Sequence, residues 1–165
     1  TRRSSDLVDL LILVSGYQLR LLIGGSIASV PLTGWLHSLV FLLSVLLLLQ
    51  KRRSDVLLYQ ENGIVLRATV PFYARLSLRK INGGLLWIIA GLYTAYVIHL
   101  ILNDSRFLLT IFTVPLVFAG LYRIFQLMNR NPHRDILRMA FLDGWIWGTG
   151  LGWVVLFFIT LYKWA

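Results

Sequence analysis

The chain has 165 residues, of which 58% are hydrophobic and 14% carry a charge, and its mean hydropathy is +0.74. A soluble domain has about 25% charged residues, so this composition excludes an ordinary water-soluble protein. The absence of cysteine excludes a disulfide framework, a thiolate nucleophile and a cysteine-ligated metal. The net charge of +9 is confined to short segments between apolar runs, which fits anionic lipid or a phosphorylated substrate better than nucleic acid.

Five apolar runs organise the chain. A membrane-spanning helix needs about 20 mostly apolar residues, and runs of this kind cover residues 7–30, 35–50, 81–102, 107–128 and 141–162. They predict an all-α polytopic membrane bundle with about five spanning helices, one domain over residues 1–165, and a polar loop at 51–80. Because the chain begins at Thr1 rather than Met, we expect it to be the C-terminal portion of a longer protein.

The basic residues are distributed unevenly if the chain crosses the membrane five times. Thirteen of the sixteen Lys and Arg residues then lie on one side: two at the N-terminus, seven in residues 50–80, and four between Arg123 and Arg138. The other side has Arg106 and Lys163, and Arg20 lies inside a span. The positive-inside rule therefore predicts that the 51–80 loop faces the cytoplasm.

Two ionisable residues, Asp9 and Arg20, lie within the first apolar run. Charged side chains are costly in lipid and usually face a bundle interior or a wet cavity. The residues are separated by about three helical turns, so they share one face of the predicted helix. Arg20 either contacts a phosphate or makes an interhelical hydrogen bond, and the residues themselves leave both roles open.

A basic run with one carboxylate, Lys51-Arg52-Arg53-Ser54-Asp55, follows the second apolar run directly. Such a cluster commonly does no more than stop membrane transfer and fix orientation. It also suits a pyrophosphate with a divalent cation, because Mg²⁺ binds one or two carboxylates plus phosphate oxygens while cationic side chains neutralise the remaining charge. Beyond it, the residues up to Lys80 could form a short amphipathic helix, a turn at Asn62-Gly63 and a second helix after Pro71, or serve as an interfacial anchor.

Glycines recur every fourth residue in the last apolar run, at positions 144, 148 and 152. Small residues at this spacing allow close packing between membrane helices. We interpret this stripe as a packing face.

Several short motifs occur in a characteristic order: YQLRLLIGG at 17–25, SVPLTGW, QKRRSD, FYAR at 72–75, GLYTAY at 91–96 and VPLVFAGLYRIF at 114–125. Together they resemble the C-terminal half of the UbiA prenyltransferase superfamily, and within it the decaprenyl-phosphate phosphoribosyltransferase branch. The resemblance extends over nearly the whole chain and implies a nine-helix fold around a lipid-open cavity, of which this chain is similar to helices five to nine. The family's first acidic motif, Asn-Asp-x-x-Asp, is absent, so we expect the chain alone to be inactive.

The resemblance implies an enzyme of the bacterial cytoplasmic membrane with its active face towards the cytoplasm. Its reaction would be Mg²⁺-dependent transfer of a 5-phosphoribosyl group from phosphoribosyl pyrophosphate to a polyprenyl phosphate. The roles that it implies are metal binding and catalysis by Asp55, catalysis by Lys51 and Arg52, and substrate binding by Asp9, Arg20, Tyr73, Arg75 and Arg123. The remaining cations of the segment, Arg53, Arg79 and Lys80, are interpreted as membrane anchors.

The sequence also departs from that branch. The branch usually has Glu at the position of Asp55, and its Asp-Arg pair before the last helix corresponds here at best to Asp143-Gly144, so Asp143 is given no role. One alternative is a UbiA-type prenyltransferase with an aromatic or other polar acceptor, although such relatives usually have more Asp in the second motif. A second is a non-catalytic polytopic membrane protein. The predicted partners are a polyprenyl phosphate or pyrophosphate lipid, phosphoribosyl pyrophosphate and the membrane, without nucleic acid; a homo-oligomer stays open.

Overall fold

The structure, a computed structural model, describes residues 2–62, 77–130 and 136–162, and within these ranges it is helical with no strand. It confirms an all-α, multi-pass membrane bundle. The helices are α1 (Arg2–Ala28), α2 (Gly34–Asn62), α3 (Leu78–Asn103), a 3₁₀ helix (Ser105–Phe112), α4 (Thr113–Arg130), α5 (Ile136–Leu142) and α6 (Gly144–Tyr162). The chain divides into two compact units, residues 1–85 and 86–165.

Four helical segments of the described chain are long and apolar enough to cross a membrane, and a fifth is shorter. The four are Leu11–Ala28, Gly34–Leu57, Leu78–Asn103 and Arg106–Arg130, and the shorter one is Gly144–Thr160. Large apolar side chains cover their outer surfaces, as Ile27 (81% exposed) and Trp87 (72% exposed) show. In water such exposure would be costly, whereas in lipid it is the expected outer surface.

In the first unit, a tight turn joins α1 to α2. The Val30 N–H donates to the Gly25 carbonyl (3.0 Å), and Ser29 adopts a left-handed conformation (φ 53°), so the chain reverses at the end of α1. Leu32 then packs over Gly25, where a Cβ atom would lie 2.7 Å from the Leu32 Cγ. The Thr33 hydroxyl accepts a hydrogen bond from the Leu36 N–H and caps α2. The first two helices therefore form an antiparallel hairpin.

The predicted loop at 51–80 is wrong over residues 51–62, because α2 continues without a break to Asn62. Lys, Arg, Gln, Glu and Leu all favour the helical state, so a helix need not end where its side chains become polar. The described part of α2 reaches Asn62, and the predicted turn at Asn62-Gly63 extends outside the described residues. Residues 63–76 lie outside the described ranges, and Leu78 begins α3.

In the second unit, a largely buried chain of hydrogen bonds connects four elements. The Trp153 indole N–H donates to the Tyr93 hydroxyl (2.7 Å), whose oxygen lies 2.7 Å from the Thr113 hydroxyl. The Thr113 hydroxyl donates to the carbonyl of Thr110, in the 3₁₀ helix. Because each polar atom has a partner, α3, α4 and α6 can bury these groups in a membrane bundle at little cost.

The close contact between α4 and α6 involves two glycines. A Cβ added to Gly120 would lie 3.3 Å from the Thr149 hydroxyl, and one added to Gly152 would lie 3.4 Å from Leu116. Gly144 and Gly148 have open space beside them, with nothing within 4 Å. Of the predicted glycine stripe, therefore, only Gly152 has the packing role, and Gly120 on the facing helix was missed.

Candidate functional site

Basic side chains gather where the second half of α2 lies beside the first turn of α3. Lys51 is exposed, Arg53 and Asp55 are half-buried, and Arg52 is 7% exposed. Arg79 and Lys80, in the first turn of α3, are exposed. We refer to Lys51, Arg52, Arg53, Arg79 and Lys80 as the basic cluster.

Two contacts hold α3 antiparallel to the end of α2 and so build the cluster. The Asn82 amide donates to the Gln50 side-chain oxygen (2.9 Å), and both residues are buried. Further along, Val56 packs against Leu78. Because Gln50 precedes Val56 whereas Asn82 follows Leu78, the two helices run in opposite directions. This register brings Arg53 opposite Arg79.

The Arg53 and Arg79 guanidinium groups lie near enough to repel each other. Guanidinium groups keep their charge in proteins, so this repulsion cannot be relieved by loss of a proton. An anion between them would replace it with two attractions, and a phosphate can accept hydrogen bonds from both. The arrangement is therefore suited to binding a phosphate group at the membrane surface.

Beneath the cluster, the amide pair of Gln50 and Asn82 is only partly satisfied. The Gln50 Nε2 and the Asn82 Oδ1 are buried and have no hydrogen-bond partner among the residues that the structure describes. An unpaired buried polar atom costs about 1–3 kcal/mol. This contact therefore positions the helices while keeping one donor and one acceptor unused.

Asp55, the predicted metal ligand, follows Lys51 by one helical turn and lies on the same side of α2. Nowhere in the described ranges do three or more His, Asp or Glu side chains come together as a metal site. Mg²⁺ is nevertheless commonly held by one or two carboxylates, with phosphate oxygens and water completing its shell. Asp55 fits one ligand of a Mg²⁺ ion that arrives bound to a phosphorylated substrate.

Arg20 and Asp9 both lie on α1, as predicted. Arg20 is exposed, and its guanidinium carbon lies 5.7 Å from the centre of the Tyr17 ring, a cation–π distance. The side chain of Asp9 is outside the described part of the structure, and so are the whole of Tyr73 and Arg75. Their predicted roles stay predictions.

Arg123, a predicted substrate ligand, has a protein partner in the second unit. Its Nε and Nη2 donate to Asp143 at 3.0 and 2.7 Å, and its Nη1 donates to Gln126 at 3.1 Å. Asp143 is also the N-cap of α6, since its Oδ1 accepts from the N–H groups of Trp145 and Ile146. The Arg123 hydrogen bonds, above all, lower the pKa of Asp143, and the two backbone N–H groups act in the same direction.

Asp143 and the amide pair are the residues that sequence reasoning missed. A signal existed for Asp143, because an Asp before an apolar run that begins with Gly and Trp is a helix N-cap pattern. The amides of Gln50 and Asn82 gave no comparable signal, because they lie at opposite ends of the polar segment and only the antiparallel register brings them together. The same register converts Arg79 from a predicted anchor into a member of the cluster.

No protein family, curated protein or solved structure was found to match the chain.

Proposed function

We propose that the chain is the membrane-embedded portion of a transferase that moves a 5-phosphoribosyl group from phosphoribosyl pyrophosphate to a polyprenyl phosphate. The observation that supports the proposal is the basic cluster, in which Arg53 and Arg79 lie near enough to repel each other, close to the ends of two apolar helical segments. A polyprenyl phosphate has its phosphate at the membrane surface and its tail in lipid. It therefore matches a chain whose helices are apolar outside and whose cations lie at a helix end. The family assignment rests on the motif order in the sequence.

The positive charge has a role in the proposed chemistry. The bond between the ribose C1 and the pyrophosphate oxygen breaks, and its electron pair stays on the leaving pyrophosphate. A phosphate oxygen of the lipid then bonds to C1. Preorganised cations stabilise the charge that develops on the leaving group, and we assign this role to Lys51 and Arg52. Mg²⁺, when bound through Asp55, would neutralise further charge on the pyrophosphate.

The first test replaces Asp55 by Ala in the complete protein. Because Asp55 is the single carboxylate assigned to the metal, phosphoribosyl transfer to polyprenyl phosphate should fall at least a hundredfold. The measurement is the incorporation of radiolabelled phosphoribosyl groups into membrane lipid at saturating Mg²⁺. Unchanged transfer would show that the metal assignment is wrong.

The second test addresses the basic cluster itself. Arg79→Gln should raise the KM for the phosphorylated substrates at least tenfold, because it removes one of the two facing guanidinium groups. Arg106→Gln is the matched control: Arg106 is also exposed at the end of a span, but it forms an ion pair with Asp104 (2.9 Å). If both variants behave alike, the effect is one of general surface charge and the site proposal fails.

A non-catalytic membrane protein is the second candidate. It is favoured by the ion pair of Arg123 with Asp143, because a side chain that was predicted to bind substrate makes a structural contact instead. Two transfer assays separate the candidates. A non-catalytic protein transfers no phosphoribosyl group to polyprenyl phosphate, and it transfers no isoprenoid from prenyl pyrophosphate to an aromatic acceptor. Transfer of the isoprenoid instead would identify the UbiA-type prenyltransferase alternative.

A further inference from the structure

An apolar groove of about 480 Å³ lies in the second unit, between α5 and the first three turns of α6. Phe141 of α5 and Trp147, Leu151 and Val154 of α6 line it. Pockets that bind small molecules have volumes of about 300–1,000 Å³. Because α6 is one of the apolar helices of a membrane protein, the medium around this groove is lipid, and a hydrocarbon chain is the matching occupant.

Two contacts join α5 to the start of α6 at one end of the groove. The Trp147 indole N–H donates to the Phe141 carbonyl (2.9 Å), and the two rings are in contact with their centres 6.4 Å apart. This contact fixes α5 against the start of α6. It also satisfies the one polar atom of Trp147, so its ring can face hydrocarbon.

The same end of the groove is positively charged. Arg138 is exposed and precedes Phe141 by three residues on α5, so the two side chains lie on one face of the helix. The nearby carboxylate of Asp143 is neutralised by Arg123 and by the first N–H groups of α6. Of the described charged residues beside the groove, Arg138 is thus left as the uncompensated cation, and it would attract an anion.

From this combination we propose that the groove binds one molecule of an anionic phospholipid. One acyl chain lies along α6 past Gly150, and the phosphate lies at Arg138. The site is in the second unit and uses none of the residues of the basic cluster. The proposal of a lipid site can therefore be tested independently of the proposed transferase activity.

Gly150 provides a direct test. It lines the groove, and an added Cβ would meet nothing within 4 Å, so Gly150→Leu fills the groove without a clash. Leu also favours the helix over Gly. Gly148→Leu is the matched control, because Gly148 has equally open space but is not part of the groove lining. Val154→Phe narrows the groove one turn further along and serves as a second variant if Gly150→Leu fails to fold.

The probes are phosphatidylglycerol, phosphatidylcholine and decaprenyl phosphate, each added to the purified complete protein in detergent and detected by native mass spectrometry. We expect one phosphatidylglycerol molecule per chain, bound equally by wild type and Gly148→Leu and at least tenfold more weakly by Gly150→Leu and Val154→Phe. Arg138→Gln should reduce phosphatidylglycerol binding to the level of phosphatidylcholine.

Three results would overturn the proposal. The first is phosphatidylglycerol binding that is the same in wild type and in the groove-filling variants, including no binding at all. The second is equal binding of phosphatidylcholine and phosphatidylglycerol by wild type. The third is a Gly150→Leu variant that loses binding of decaprenyl phosphate but keeps binding of phosphatidylglycerol, because the groove would then be a site for decaprenyl phosphate.

Discussion

Asp143 combines two structural roles in one side chain. Its carboxylate pairs with Arg123 across α4 and α6, and it accepts the hydrogen bonds of two N–H groups that would otherwise be unsatisfied at the start of α6. The side chain is 10% exposed, so water contributes little to its solvation. The negative charge is thus held between a guanidinium group and the positive end of a helix.

Two substitutions separate these roles. Asp143→Asn retains an oxygen that can cap α6 but removes the charge, whereas Asp143→Ala removes both. We expect the Ala variant to lose about 1 kcal/mol more than the Asn variant in the free energy of unfolding, which is the typical contribution of a cap. Thermal unfolding in mild detergent measures the difference. Equal stability of the two variants would show that the cap contributes nothing.

The pH dependence has a definite sign. Because its folded-state pKa is lowered, Asp143 stabilises the fold at pH values above its ordinary pKa of about 3.9, and this contribution is lost as pH falls through the lower folded-state value. Asp104, whose pKa is lowered first by the Arg106 backbone N–H, acts in the same direction. Asp143→Asn should therefore flatten, but not abolish, the loss of stability below about pH 4 in detergent-solubilised protein. An unchanged slope would contradict this assignment.

At the scale of elements, the contact between α2 and α3 depends on polar as well as apolar side chains. The hydrogen bond of Asn82 to Gln50 and the packing of Val56 on Leu78 set the register that creates the basic cluster. Polar pairs between membrane helices contribute about 0.6 kcal/mol on average. Their larger effect comes from the penalty when one partner is removed.

This asymmetry can be measured with a double-mutant cycle. Asn82→Leu leaves the buried Gln50 amide with no partner, and we expect it to lower the free energy of unfolding by about 1–3 kcal/mol. Adding Gln50→Leu should recover most of that loss, because both polar groups are then gone. Additive losses in the double variant would mean that the two amides do not interact in the folded protein.

The pairing of α4 with α6 leads to a separate prediction. Gly120→Leu should destabilise the protein, because its side chain must displace Thr149 at 3.3 Å, with a typical overpacking cost of about 1–3 kcal/mol. Gly148→Leu should not, since nothing lies within 4 Å of its added Cβ. Unfolding in detergent compares the two, and equal losses would show that the close contact is not at Gly120.

At the scale of the whole molecule, the absence of cysteine from residues 1–165 means that single cysteines introduced there can report topology. The positive-inside rule predicts that Lys51 lies on the cytoplasmic side and Arg106 on the opposite side. A membrane-impermeant thiol reagent added outside intact cells should label Arg106→Cys and not Lys51→Cys. Permeabilised cells should label both, since both positions are exposed. Labelling of Lys51→Cys from outside would reverse the predicted orientation.

Hydropathy predicted the fold well because a membrane span needs little more than length and apolar character. It failed in the last turns of α2, where the charged residues after Gln50 were interpreted as a loop. It also could not distinguish a 3₁₀ helix from an α-helix at Ser105–Phe112. Local clustering of charge was enough to predict a site at Lys51–Asp55, and that site stays a prediction. Site prediction missed Asn82 and Asp143, because their partners are 32 and 20 residues away and only tertiary contacts bring them together.

The 3₁₀ helix makes one span unusually long. A 3₁₀ helix rises about 2.0 Å per residue and an α-helix about 1.5 Å. The 25-residue segment Arg106–Arg130 is therefore about 41 Å long, whereas the adjoining Gly144–Thr160 is about 26 Å. The hydrocarbon core is about 30 Å thick, so one helix exceeds it and its neighbour does not fill it. The longer helix should tilt so that its apolar length fits the hydrocarbon core. The shorter helix packed against it should thin the bilayer on its own side.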